Sequence, residues 1–228
     1  MTRLRPLLPI GLLIGLATAP VLAANAQAPA TGRLLVASGT IDDPSFSETV
    51  VLLLHHGEDG SLGVFLNRPT WVDPSEAFAD AEPLAGYDGT LYFGGPIGPT
   101  QLLMLIDVDG NAPDALTPII GSVFISTDIG MLEDLEASSS TRQLRLYAGH
   151  AAWGPGQLEN EVEAGNWRVV RARPELVFPS DPERLWNSLP AGSAGTSARL
   201  APAEPALTPS RPYRADPSTS RFPTASRD

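Results

Sequence analysis

The 228-residue sequence carries 15 arginines, no lysine and 26 acidic residues, a formal net charge of −11 at pH 7. Cysteine is absent and histidine occurs three times, which excludes a disulfide framework and a cysteine-based structural metal site. A chain this acidic, without a local basic patch, repels phosphate backbones, so nucleic acid is not an expected partner.

Residues 1–26 read as a signal peptide. Arg3 and Arg5 precede an apolar run from Leu7 to Ala19 that is short for a membrane span, and small residues follow with cleavage points after Ala23 or Ala26. An uncleaved anchor is the alternative. The expectation is export to the periplasm with no stable membrane insertion after cleavage. Residues 191–228 are rich in Ala, Ser, Pro and Arg and read as a disordered tail, a linker or tether that cannot bury enough apolar surface to offset its ordering entropy. Between them, residues 27–190 form the expected domain, with eight arginines against 23 acidic side chains once both ends are set aside.

Within that domain, Arg33–Ser38 and Thr49–Leu54 read as strands, the second apolar enough to be buried on both faces. Asp59-Gly60 ahead of Leu62–Leu66 is a hairpin signal. Leu91–Phe93 and Leu102–Val108 are strands on either side of Gly94-Gly95-Pro96, and Val123–Ser126 is another. Thr127 or Asp128 caps a helix carrying Ile129, Leu132 and Leu135. Gln143–Tyr147 alternates as a strand, and the small residues Ala148, Gly149, Ala151 and Ala152 leave room for neighbouring backbone. Trp153 then enters a Gly154-Pro155-Gly156 turn, and Gln157 opens a short helix with Leu158 and Val162 on its apolar side. Trp167–Arg171 is a late strand. Ser180 with Glu183 starts a last helix carrying Leu185, Trp186 and Leu189. Strands with scattered helices, without strict alternation, specify an α+β class.

Seven residues are candidates for binding: Asp43, His56, Asn67, Arg68, Trp153, Gln157 and Glu159. His55 and His56 are adjacent, so in a strand they face opposite ways and only one joins a given site. His56 is a proton carrier near neutral pH or a hairpin-end histidine bonded locally. Asp43 caps a turn. Asn67 ends a strand beside Arg68, which suits a ligand carboxylate. Trp153 and Gln157 offer a flat wall with an amide, although core filling is the stronger reading for the indole. Glu159, Glu161 and Glu163 do not converge around a helix; Glu159 and Glu163, at i and i+4, share a face but read as a solvated edge and not as a paired-carboxylate centre. No nucleotide loop, Gly-x-Ser-x-Gly elbow or metal-ligand spacing is present, so no catalytic residue, cofactor or metal is assigned.

The ordered blocks Leu34–Ala37, Asp43-Pro44-Ser45-Phe46, Thr49–Leu53, His56 with Asp59-Gly60 and Gly63, Leu66-Asn67-Arg68-Pro69, Gly94-Gly95-Pro96, Ser126-Thr127, and Gly149 through Trp153 to Gly156-Gln157-Leu158-Glu159-Asn160-Glu161, then Trp167 and Leu185-Trp186, resemble the YqgE/AlgH family over roughly residues 32–190. The resemblance implies a compact single α+β domain with a small closed β-barrel and surrounding short helices. It implies no reaction, since the family is grouped as uncharacterised or as regulators. The chain departs from the family pattern at His150, Ala152, Leu102 and Ile106, and in its two terminal segments. The expected role is therefore a non-catalytic binding or regulatory domain in the cell envelope, with an unknown protein or small-molecule ligand. The alternatives are an enzyme using His56, Asp43 and Glu159, and a cation-bridged envelope structural protein.

Overall fold

A computed structural model of the chain describes residues 28–189, apart from 40 and 42. The signal and tail readings lie outside the described residues, as does Asp42.

The strands are β1 (Arg33–Ala37), β2 (Val50–Gly57), β3 (Gly60–Phe65), β4 (Leu91–Phe93), β5 (Ile97–Val108), β6 (Thr117–Ile120), β7 (Val123–Ser126), β8 (Thr141–Trp153) and β9 (Trp167–Arg171). They form one sheet in the order β6-β7-β5-β8-β3-β2-β1-β9. All neighbours on that path are antiparallel, while β4 pairs with β8 in parallel. The short helices are α1 (Pro74–Ala77), α2 (Leu132–Ala137), α3 (Gln157–Glu163), α4 (Pro174–Val177) and α5 (Leu185–Ser188).

The expected closed barrel is not formed. Among the described residues β6 pairs only with β7, and β9 only with β1, so the sheet ends in two free edges. The chain just before β1 does pack on β6, since a side chain at Gly32 would meet the Ile119 carbonyl at 2.8 Å. No ladder forms there, because β6 is four residues long and Pro118 lacks an N–H to donate.

β8 is the spine. One of its edges carries β5; the other carries β4 at Leu146–Ala148 and then β3 at Ala151–Trp153. The crossing between these partners depends on glycine: a Cβ on Gly94 would strike the Gly149 carbonyl, and one on Gly95 the His150 backbone. Side chains therefore alternate between apolar layers. Leu34, Val36, Val50, Leu52 and Tyr147 enter one cluster, and Leu35, Ala37, Val51, Leu53 and Phe65 a second. A third gathers Leu84, Met104, Ile106 and Leu146 beneath Leu132 and Leu135 of α2. At roughly 1.5–3 kcal/mol for each fully buried large aliphatic side chain, these layers are the main favourable term. Among the described residues no helix is long and apolar enough to cross a membrane.

Candidate functional site

The hairpin end of β2 and β3 positions the site. Residues directly opposite in an antiparallel ladder share a face, and the row His56–Ser61–Trp153 runs across β2, β3 and β8. The register slips between Leu53 and His55, inserting one residue and reversing the parity of the strand beyond it. His56 consequently lies on the same side as Leu53, where α3 packs, while His55 is opposite Leu62 and reaches Asp59 at 2.8 Å. The bulge selects which histidine faces α3.

α3 starts at Gly156, whose φ of 72° suits glycine. Leu158 is fully buried against the Phe65–Trp153–Trp167 layer. Three polar attachments flank it. The Gly154 N–H donates to Gln157 Oε1 at 3.1 Å. Gln157 Nε2 donates to Glu161 Oε1 at 2.9 Å. Glu161 Oε2 accepts both indole N–H groups, from Trp153 at 3.0 Å and Trp167 at 2.7 Å. The two indoles meet edge to face, centroids 5.9 Å apart, and Phe46 contacts both as well as Phe65.

Beside this lock lies a second chain of contacts. His56 Nδ1 and Ser61 Oγ are 2.8 Å apart, and His56 Nε2 stands 3.5 Å from Glu159 Oε1. The imidazole is mostly covered, while about half of the Glu159 side chain faces solvent. A hydroxyl, an imidazole and a carboxylate thus lie in line, the order needed to orient a base against a hydroxyl.

The remaining candidates are occupied elsewhere. Asp43 Oδ1 caps the turn Pro44–Phe46 by accepting the Ser45 N–H at 2.8 Å. Asn67 is buried; its Oδ1 accepts the Val50 N–H at 2.8 Å and its Nδ2 donates to the Glu48 carbonyl at 2.9 Å. That carbonyl belongs to a residue with φ of 53°, so the amide secures a strained turn. Arg68 donates to the Ser47 carbonyl and to Thr49 Oγ1. Asn67 and Arg68 thus hold residues 47–50, and a ligand carboxylate would have to compete with those bonds. The structure brings together His56, Trp153, Gln157 and Glu159 around α3. It places Asp43, Asn67 and Arg68 in the bonding of the turn before β2.

Two residues escaped the sequence reading. Ser61 offered no signal beyond its place opposite a hairpin histidine. Glu161 had one: two tryptophans flank it in the chain, and a buried indole N–H needs an acceptor. His150, half-buried opposite Ile97, has its pKa pushed down by burial, which favours the neutral ring. Among the described residues no group of three or more His, Asp or Glu side chains is placed to hold a metal ion. A shallow concavity of about 280 Å³ lies by Asp107, Ser122 and Arg142, and another of about 250 Å³ by Met131 and Leu135, neither lined by His56 or α3.

The sequence profile of the AlgH-like family, DUF179, matches residues 34–195. The chain belongs to the AlgH-like family. It is 43% identical over 184 residues to the UPF0301 protein SCO2948 of Streptomyces coelicolor, covering 78% of this chain and 94% of that protein. A UPF0301 protein of Streptomyces avermitilis is 44% identical over 164 residues, 70% of this chain and 84% of the relative. Two solved structures share the fold at 27% identity. The crystal structure of DIP2367 from Corynebacterium diphtheriae has a TM-score of 0.62, covering 72% of this chain and 87% of that one. The solution structure of the AlgH protein from Pseudomonas aeruginosa has a TM-score of 0.59, covering 72% and 90%. These AlgH-like relatives carry no named reaction.

Proposed function

We propose that the chain is an exported, periplasmic recognition domain without catalytic chemistry of its own. The observation that supports this is a division of labour among its side chains. Asp43, Asn67, Arg68, Gln157 and Glu161 all direct hydrogen bonds into the fold. Meanwhile Trp71, Val72, Phe93 and Ile97 stand exposed; of these Trp71 and Val72 are adjacent, and contiguous apolar surface in solvent marks an interaction site. Export is supported by Arg3, Arg5, the apolar run and the alanine-rich cleavage region. N-terminal sequencing of protein from the periplasmic fraction should begin at Ala24 or Gln27; an intact Met1 in the cytoplasmic fraction overturns export.

A second reading rests on the Ser61–His56–Glu159 chain: Glu159 orients the imidazole, which takes the proton of the Ser61 hydroxyl as that oxygen bonds to an acyl carbon and returns it to the alcohol or amine that leaves as the ester or amide bond breaks. The recognition reading expects no turnover of a broad panel of esters and amides and no labelling of Ser61 by a fluorophosphonate. Labelling at Ser61 that disappears in His56→Gln would establish the enzyme and remove the non-catalytic reading.

A further inference from the structure

We propose that Trp71 and Val72, with the carboxylates C-terminal to them, form a docking surface for a basic amphipathic segment of a partner polypeptide; this rests on the recognition reading above. Trp71 is 82% exposed and Val72 38% exposed, yet both are held from two sides. Ahead of them Pro69 bridges Tyr92, and the Thr70 N–H and hydroxyl donate to the Leu91 carbonyl at 2.9 and 2.8 Å. The Val72 N–H donates to Thr70 Oγ1 at 3.3 Å. Behind them Asp73 caps α1, accepting from Ser75 N at 2.8 Å and Ser75 Oγ at 2.7 Å. Backbone fixed on both sides of the indole leaves only the side chain's own rotamers to order on binding, which lowers the cost of using it as an anchor.

The charge around it selects the occupant. From 71 to 89 the chain carries Asp73, Glu76, Asp80, Glu82 and Asp88 and no arginine, lysine or histidine. All five carboxylate residues are exposed. The Ser75 hydroxyl and N–H hold the Asp73 carboxyl below the ordinary range, so it keeps its charge. Asp88 also faces α2, where Glu136 is pushed up first by burial and then by Asp88 and Glu133. A second copy would set like charge against like charge, and an anionic lipid surface or a nucleic acid would be repelled in the same way. An exposed apolar anchor followed in the chain by five exposed carboxylates is complementary to a segment that alternates apolar and basic side chains.

The test uses the full mature chain and three fluorescent synthetic peptides: an amphipathic leucine–arginine peptide, its leucine–glutamate counterpart, and an arginine–glycine peptide of equal charge, with binding read by anisotropy. The leucine–arginine peptide should bind, weaken with added salt, and lose about tenfold or more in affinity with Trp71→Ala. A Glu76→Lys/Asp80→Lys variant should weaken it with Trp71 intact. Equal binding of the arginine–glycine peptide, or no effect of Trp71→Ala, would reduce the interaction to net charge and overturn the proposal. So would retained capture of a periplasmic partner by the Trp71→Ala protein, which would leave the recognition reading standing on another face. Since Trp71 is solvent-exposed, its variant should fold as the parent does, and circular dichroism checks this.

Discussion

Replacing Glu161 probes how α3 is fastened to the sheet. Its Oε2 is the acceptor for two indole N–H groups whose side chains are each only 4% exposed. Glu161→Ala leaves both donors without that acceptor. An unpaired buried donor costs about 1–3 kcal/mol, so the pair costs roughly 2–6 kcal/mol. Glu161 itself is only partly buried, so entering water relieves some of that, and we expect about 3 kcal/mol. For a protein of this size that is a fall of about 6–12 °C in Tm, a large share of the roughly 5–15 kcal/mol that stabilises a typical domain. Glu161→Gln separates hydrogen bonding from charge. Its single amide oxygen can still face the indoles, but its NH2 then meets Gln157 Nε2. Turning Gln157 around relieves that clash and loses the bond from Gly154. The expected cost is about 1 kcal/mol.

Urea unfolding monitored by tryptophan fluorescence measures both variants, with far-ultraviolet circular dichroism as a second probe. Trp167→Phe keeps an aromatic ring and deletes one N–H, so Glu161→Ala should cost about 1 kcal/mol less in that background, a coupling that a double-mutant cycle reads directly. If Glu161→Ala falls within about 0.5 kcal/mol of the parent, as an ordinary surface substitution would, the carboxylate is not what fastens α3.

Three other perturbations have defined outcomes. A Cβ at Gly63 would meet Val51 Cγ1 at 2.6 Å and the Leu52 carbonyl at 2.7 Å, so Gly63→Ala should lower stability by about 1–3 kcal/mol in the same urea titration. Arg142 donates to both Asp107 oxygens at 2.7 and 3.1 Å and holds that carboxyl below its ordinary pKa. A lowered carboxylate contributes stability that is full above about pH 4 and lost as pH falls through the lowered value. The stability gap between the parent and Arg142→Gln should therefore narrow from pH 5 to pH 2, and a constant gap would refute the linkage. Ser61→Ala removes the partner of His56 Nδ1 and should cost about 1 kcal/mol while leaving peptide binding at Trp71 unchanged by anisotropy.

Much of the strand pattern was legible because its signals are local. β1, β2, β4, β7 and β9 stand where apolar β-branched and leucine-rich runs stand, and Asp59-Gly60 turns β2 into β3 as expected. Asp128, one of two cap candidates, accepts the Gly130 N–H at 3.0 Å in the turn leading to α2. The last helix begins later than its Ser180 signal: Asp181 accepts the Arg184 N–H, and α5 covers only Leu185–Ser188. β6 was missed because Pro118 argues against a strand interior and is tolerated only at an edge. β8 runs 13 residues, against the five that alternate clearly, since Ala148, Gly149, Ala151 and Ala152 are small for backbone contact and leave no alternating pattern around His150. The barrel expectation failed for a related reason. Closure depends on whether two edge strands meet in register; Pro118 weakens β6 as a partner, but no residue of an edge strand specifies which strand it will meet.

Composition and periodicity by themselves determined an acidic, cysteine-free α+β domain, the positions of most strands and the turn that launches α3, because each depends on neighbours a few residues apart. Only the tertiary structure decided that the bulge after Leu53 turns His56 toward Glu159, that Asn67 secures a turn 19 residues earlier, and that Glu161 joins two tryptophans. A side chain's partner is set by which strands lie side by side, and hydrophobic pattern specifies which face is buried without naming the group that will be found there.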